Sequence, residues 1–386
     1  MKTYGVLSMP VGDINAKRQI RVAGVTHADV PASWSSLQPN GVGTALDASA
    51  IAILCQEFDD CASVGLKVIF DFNLQYPPAW VQTGIENFVD QSGNVNDTTA
   101  SGKIVRNWFW TALGRQCVAD FMSKVALGLG DGRVKQVAAI RMGGGWYGEA
   151  HYPGVYSTGF SFWGFGASMQ TGVGLATDQV VCPLPGYIPF SGGSDTNDSI
   201  WTNWYLNGLI TWLEWYYQQH RSIGFTAEVH VMLPGYGVRS NQAHSSSGYK
   251  QAAAYGEDPV RAIAWTMKHP DVWPYCTWLN TADGFPGGTV DSDKSAWKKI
   301  YEEALKRNKH HRMMGENTGN ESTAGMQAIF SGATYGSALS TASYPGSPSI
   351  TTGYQGLIWL NYDSLTSGQA GRATLSDLAT LIAANP

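Results

Sequence analysis

Charge is scarce in this chain: Asp, Glu, Lys and Arg make up 14% of its 386 residues. No block of Lys and Arg occurs and the formal net charge is −5. That argues against a nucleic-acid partner and against an anionic membrane surface. Apolar runs long enough to span a bilayer are missing, and no signal-peptide core follows Met1, so no membrane partner is expected. A soluble protein, either cytoplasmic or extracellular and virion-associated, fits these absences. The five cysteines form no CxxC pair. Cys55 and Cys61 lie six apart on one predicted helix and do not face each other, so buried, reduced thiols are expected. No GxGxxG or GxxxxGK[ST] follows the first predicted strand, which leaves a nucleotide-binding open sheet without support. Gly-x-Ser-x-Gly is absent, so no serine-nucleophile elbow is expected. His310 and His311 look like a metal pair but precede a strand, where a barrel keeps its stability face. His27 and His151 are better placed, yet lack the spacing of a zinc site. No metal and no cofactor are expected.

Apolar side chains are plentiful, at 44%, and so are aromatics, with 15 Trp and 18 Tyr. Most must fill a core; a minority at loop starts would suit the faces of sugars. Period-2 and period-3.6 segments alternate along the chain. Strands are expected at Gln19–Val25, Leu66–Phe70, Val137–Ile140, Glu228–Leu233, Tyr275–Leu279, Arg312–Met314 and Leu357–Leu360, with a further one between 84 and 102. Helices are expected at Ala48–Ser63, Trp108–Leu127 (closed by Gly128, Gly130 and Gly132), Ile200–Ser222, from Asp258–Pro259 onward, Trp297–Leu305, Thr323–Ser331 and Leu375–Ala384. The aromatics of the 200–222 helix are read as packing. No composition shift marks a linker. The pattern therefore predicts one α/β domain over residues 1–386, a (β/α)8 TIM barrel with long loops on the carboxyl-terminal face of its strands. Residues 152–198 would form one such loop. The oligomeric state is open, and a homo-oligomer is compatible with the sequence.

Two acids stand where a barrel places its chemistry. Glu149 comes after Val137–Ile140 and the run Gly143-Gly144-Gly145-Trp146-Tyr147-Gly148. Glu316 comes after Arg312–Met314. A single Glu after a strand is more often a loop salt-bridge partner, but two at the fourth and seventh strands favour catalysis. Cleaving a glycosidic bond needs one carboxyl to protonate the leaving oxygen and another to attack or activate water. Glu149 is expected as acid/base, its proton affinity raised by water exclusion under Trp146 and Tyr147. Glu316 is expected as an ionised nucleophile near donors such as Asn317, Asn280 or Tyr236. Asp29 and Asp71 follow strands and would bind sugar hydroxyls or orient Arg141. His27, Asn73, Trp80, Trp146, Tyr236, Asn280 and Asp283 complete the expected substrate contacts, with Asp283 as the spare carboxylate. Trp359 is read as a stacking platform or, as readily, a core side chain. The partner would be an oligosaccharide or polysaccharide substrate. A second class stays open: a carbohydrate-binding barrel without catalysis, as in an adhesion or virion-surface protein.

The segments Trp34-Ser35-Ser36-Leu37-Gln38-Pro39, GLKVIFDFNLQYPPAWV (65–81) and Asp90-Gln91-Ser92-Gly93 carry a resemblance. From Arg21 to Gly154 the chain resembles family 42 β-galactosidases and other clan A glycoside hydrolases. The resemblance implies a retaining enzyme acting on a β-linked glycoside. It implies an acid after strand four and a nucleophile after strand seven, matching Glu149 and Glu316. One departure stands out. The clan has Asn before the acid, to hold a sugar 2-hydroxyl, whereas this chain has Gly148. Either another side chain makes that contact, or the substrate differs, or catalysis is lost; the sugar itself stays open.

Overall fold

The computed structural model describes residues 2–96, 104–153, 161–234, 250, 253–277, 279, 296–309, 313–317, 321–331 and 354–386. Tyr236, Asn280, Asp283, His310 and His311 lie outside the described residues. Eight parallel strands close into a barrel in sequence order: β1 Thr3–Val6, β2 His27–Pro31, β3 Lys67–Asp71, β4 Val137–Met142, β5 Glu228–Leu233, β6 Val272–Cys276, β7 Met314–Glu316 and β8 Gly356–Trp359. Closure is made by β1 pairing with β8. Around it run helices α1 Ile14–Val22, α2 Ala48–Ser63, α3 Ala112–Val134, α4 Asp195–Ser222, α5 Pro259–Thr266, α6 Ala296–Lys306, α7 Thr323–Ser331 and α8 Leu375–Ala384, with shorter helical turns between them. The expected (β/α)8 barrel is therefore found.

Two strand expectations need correction. Most of Gln19–Val25 is the end of α1, not a strand. Asp13 caps that helix by accepting from the backbone of Asn15 and Ala16, and Lys17 and Ile20, one turn apart, face inward. Lys17 is fully buried and pairs with Glu57 of α2 at 3.1 Å. The spaced Ile20, Val22 and Val25 imitate strand alternation, but Val22 is 90% exposed. The true first strand is the short Thr3–Val6, and the second begins at His27. Between 84 and 102 the described residues form no strand, only an antiparallel bridge from Val89 to Val95. The two missed strands and the two surplus ones cancel, so Val137–Met142 is still fourth and Met314–Glu316 still seventh. The 108–127 helix starts later, at Ala112; it is broken at Gly130, non-helical at φ 74°, and a further helical turn runs on to Val134.

Side chains alternate along each strand, so one face of every strand lines the barrel. Leu7, Ile69, Ala139, Met232, Tyr275, Met314 and Ile358 form that inner cluster, separate from the shell between strands and helices. Two residues further along β3, β4 and β7 come Asp71, Arg141 and Glu316. The same period that builds the apolar plug therefore sets a polar layer on top of it. In the outer shell, Trp201 and Trp212 of α4 are fully buried, as the packing reading expected. None of the five cysteines forms a disulfide; four are buried and Cys55 is half-buried. Among the described residues no helix is long and apolar enough to cross a membrane.

Candidate active site

Glu316 ends β7 and is buried. Its Oε2 accepts from Arg141 Nη2 at 2.7 Å and from the Tyr275 hydroxyl at 2.8 Å. Arg141 comes from the carboxyl end of β4 and Tyr275 from β6, so three strands meet at one oxygen. The Arg141 guanidinium also lies 3.8 Å from Asp71 Oδ2 and 5.7 Å from the centre of the Tyr275 ring. Burial would strip Arg141 of its proton, but Glu316, Tyr275, Asp29 and Asp71 hold it above the ordinary arginine range. It is a permanent cation among three carboxyls.

That single charge does not balance its neighbours. Burial pushes Glu316 up to about 7; Arg141 and the Tyr275 hydroxyl pull it down, and Glu149 and Asp71 push it up again. Asp29 is raised to about 7 by burial, against Arg141 and with Asp71 and Glu316. Asp71 is raised as well, mainly by burial, opposed by Arg141 and by the Asn73 backbone N–H that donates to its Oδ1 at 2.8 Å. Burial thus works against the ionised Glu316 that was expected, and Arg141 and the Tyr275 hydroxyl work for it.

Glu149 follows β4 after a turn built of glycine. Gly144 N–H donates to the Gly148 carbonyl at 3.0 Å and Gly145 N–H to the Glu149 carbonyl at 2.9 Å. A Cβ on Gly143 would stand 2.4 Å from the Gly148 carbonyl oxygen, and one on Gly145 2.0 Å from that of His151. Two indoles clamp the turn from outside: Trp108 donates to the Gly144 carbonyl at 3.0 Å and Trp212 to that of Gly143 at 2.8 Å. Glu149 Oε2 then lies 3.1 Å from His151 Nε2. Glu149 is close enough to Glu316 to raise the latter's hold on its proton.

Gly148, left-handed at φ 77°, leaves a niche. A Cβ there would meet Met232 Cε at 3.1 Å, Asp71 Oδ2 at 3.7 Å and Gln75 Nε2 at 3.8 Å. Gln75 is buried, donates to Asn73 Oδ1 at 3.1 Å and has no partner for its own Oε1. Asn73 holds a left-handed backbone at φ 42°, which Asn tolerates better than most residues. The niche is thus lined with polar atoms.

The expected contacts therefore divide. Glu149, Glu316, Asp71, Asn73 and Asp29 are brought together, and Asp29 Oδ1 is buried without a partner. Trp146 is half-buried beside them, its ring 6.2 Å from His151. His27 is elsewhere. It opens β2, level with Lys67 at the start of β3, and so sits at the amino end of the barrel. Trp80 is tied into the shell, donating to the Gln38 carbonyl at 2.9 Å and standing edge-on to Trp34. Trp359 is 1% exposed; the alternation that turns Ile358 inward turns Trp359 outward into the shell, where it donates to Ser364 Oγ at 3.2 Å. The core reading of Trp359 is the one the structure follows. Sequence reasoning missed Tyr275 and Gln75. Strand alternation could have found Tyr275 on the inner face of β6; nothing local marks Gln75. Among the described residues no group of three or more His, Cys, Asp or Glu is arranged to hold a metal ion.

No protein-family model matches the chain, and no curated protein sequence does. Solved structures are similar in fold. The catalytic domain of β-amylase from Paenibacillus polymyxa superposes with a TM-score of 0.71 at 18% identity, over 100% of this chain and 98% of that one. A β-galactosidase from Bacillus circulans sp. alkalophilus gives 0.62 at 10% identity, over 100% and 56%. A catalytic mutant of a family 42 β-galactosidase from G. stearothermophilus gives 0.60 at 12%, over 100% and 56%. The chain thus spans just over half the length of these β-galactosidases and nearly all of the β-amylase domain. At such identities the likeness is one of fold.

Proposed function

We propose that this protein is a glycoside hydrolase working through two carboxyl groups, Glu149 as acid and Glu316 as its partner. The reading is supported by the buried Glu316–Arg141 pair at the carboxyl end of the barrel, with Glu149, after β4, near enough to act on the charge of Glu316. Their environments differ, as the two roles require. Glu316 is gripped by Arg141 and Tyr275, which fix its carboxylate for attack or for holding water. Glu149 faces a histidine. Asp71 and Gln75, at the niche left by Gly148, would hold a sugar hydroxyl in place of the absent asparagine, with Asn73 positioning both.

In the finer form of the reading the enzyme is retaining and the bond β-linked, with Glu316 as nucleophile. Glu316→Gln should then lower kcat/KM by at least ~10³-fold, and azide should restore Glu149→Ala on an activated aryl β-glycoside. Wild-type turnover by either variant would remove the assignment. The end-to-end match to a β-amylase domain favours a second form, in which the substrate is a glucan and Glu316 activates water instead. NMR of the anomer released first, from aryl β-glycosides and from maltooligosaccharides, separates the two. Carboxyl groups about 5–5.5 Å apart suit retention and about 6.5–9.5 Å inversion.

A further inference from the structure

His151 has no part in the mechanism so far, and its geometry deepens the assignment of Glu149, on which this inference rests. The ring is buried, 3% exposed. Its Nδ1 lies against the carbonyl oxygen of Tyr152. A carbonyl oxygen only accepts, so Nδ1 carries a hydrogen. The other nitrogen, Nε2, is 3.1 Å from Glu149 Oε2. Two bare acceptors would repel each other at that distance, so one proton lies between them. On Nε2 it makes an imidazolium facing a carboxylate; on Oε2 it makes a neutral acid donating to a neutral imidazole. The proton count is the same in both arrangements.

The surroundings hold the ring in this tautomer. Trp146 and Tyr255 stand edge-on to it, each with ring centres 6.2 Å away. Tyr152, whose carbonyl sets the tautomer, is itself fixed. Its N–H donates to the Tyr255 carbonyl at 2.8 Å, and its hydroxyl donates to the Tyr205 carbonyl at 2.8 Å and accepts from Trp110 Nε1 at 3.1 Å. Among the described residues, Glu149 acts on the charge of Glu316 and of Glu257, the latter buried with both carboxyl oxygens lacking a hydrogen-bond partner.

We propose that Glu149 and His151 form one proton-holding pair, with His151 as the positioning residue that keeps the acid loaded. As the glycosidic C–O bond breaks, the shared proton passes to the leaving oxygen, and a carboxylate is left beside a neutral imidazole. The water that completes hydrolysis gives its hydroxyl to the sugar and returns its proton to the pair.

His151→Gln keeps a polar side chain but no base. On a substrate with a poor leaving group its kcat should fall by ~10–100-fold. The alkaline limb of kcat/KM should move to lower pH, because the proton is no longer shared with an imidazole. On a dinitrophenyl glycoside, whose leaving group needs no proton, kcat should stay within about twofold. An unmoved alkaline limb with equal losses on both substrates would overturn the pair while leaving Glu149 as acid. Full activity of Glu149→Ala would instead overturn the acid itself. Imidazole ¹⁵N NMR of the resting protein needs no substrate. His151 should show a protonated Nδ1 and a titration that changes in Glu149→Gln; a bare Nδ1 would also sink the proposal.

Discussion

Arg141 decides what Glu316 can do, because it supplies both charge and geometry. The charge lowers the carboxyl's hold on its proton; the planar fork reaches Glu316 and Asp71 together, which a lysine cannot copy. The two contributions separate by substitution. Arg141→Gln removes the charge, so Glu316 should ionise at a pH above its present value near 7, and the acid limb of kcat/KM should shift upward. Arg141→Lys keeps the charge, so that limb should stay while kcat falls by ~10-fold or more. A pH–rate profile of each variant checks this, and an unmoved limb in Arg141→Gln would mean the guanidinium does not set Glu316's ionisation. At this scale the sequence was partly legible. Glu149 and Glu316 could be read because a carboxylate past a buried strand is a local pattern. Tyr275 could have been found by strand alternation, but Gln75 could not, because nothing local marks it.

The turn from Gly143 to Gly148 is the element on which the site depends, and its glycines do different things. Gly145 is required by contact, since a Cβ would stand 2.0 Å from a backbone oxygen that cannot move alone. Gly148 is favoured by its φ of 77°, and its nearest neighbour is the flexible end of Met232. Gly145→Ala should therefore cost more than about 3 kcal/mol and displace Glu149. Gly148→Ala should cost about 1–2 kcal/mol and keep the turn while narrowing the niche. Thermal unfolding of both variants ranks them; equal losses would show that the turn yields to a methyl group. The sequence marked this turn by its abrupt change from strand to glycine. It did not mark the clamp, because Trp108 and Trp212 are distant in the chain and read simply as core. Element ends suffered likewise. Thr3–Val6 is too short to announce itself, and α1 carries enough β-branched residues to pass for a strand.

Across the whole molecule the barrel buries ionisable groups of both kinds, and their effects on stability have opposite signs. Burial lowers His27 to about 4, helped by Lys67 and His230, and His220 to about 3. Each binds its proton more weakly folded than unfolded. Their contribution is complete above the ordinary histidine value of about 6.5 and is lost as pH falls through 4 and 3. Asp29 and Glu316, both raised to about 7, behave in reverse. Folded, they keep protons that the unfolded chain gives up near pH 4, so their contribution is complete at low pH and is lost as pH rises through 7. Between about pH 4 and 6.5 the two pairs oppose each other and the slope is small. Above 6.5 the histidines have finished titrating and the acids have not. The midpoint of thermal unfolding should therefore fall between pH 6 and pH 8. Asp29→Asn should lessen that fall, because an amide has no proton to lose and Asp71 and Glu316 still accompany Arg141. The comparison needs only unfolding curves at the two pH values for wild type and variant. A midpoint that rises over this interval, or a fall unchanged in Asp29→Asn, would mean that the polar layer above the barrel plug is not where the molecule's neutral-pH instability resides.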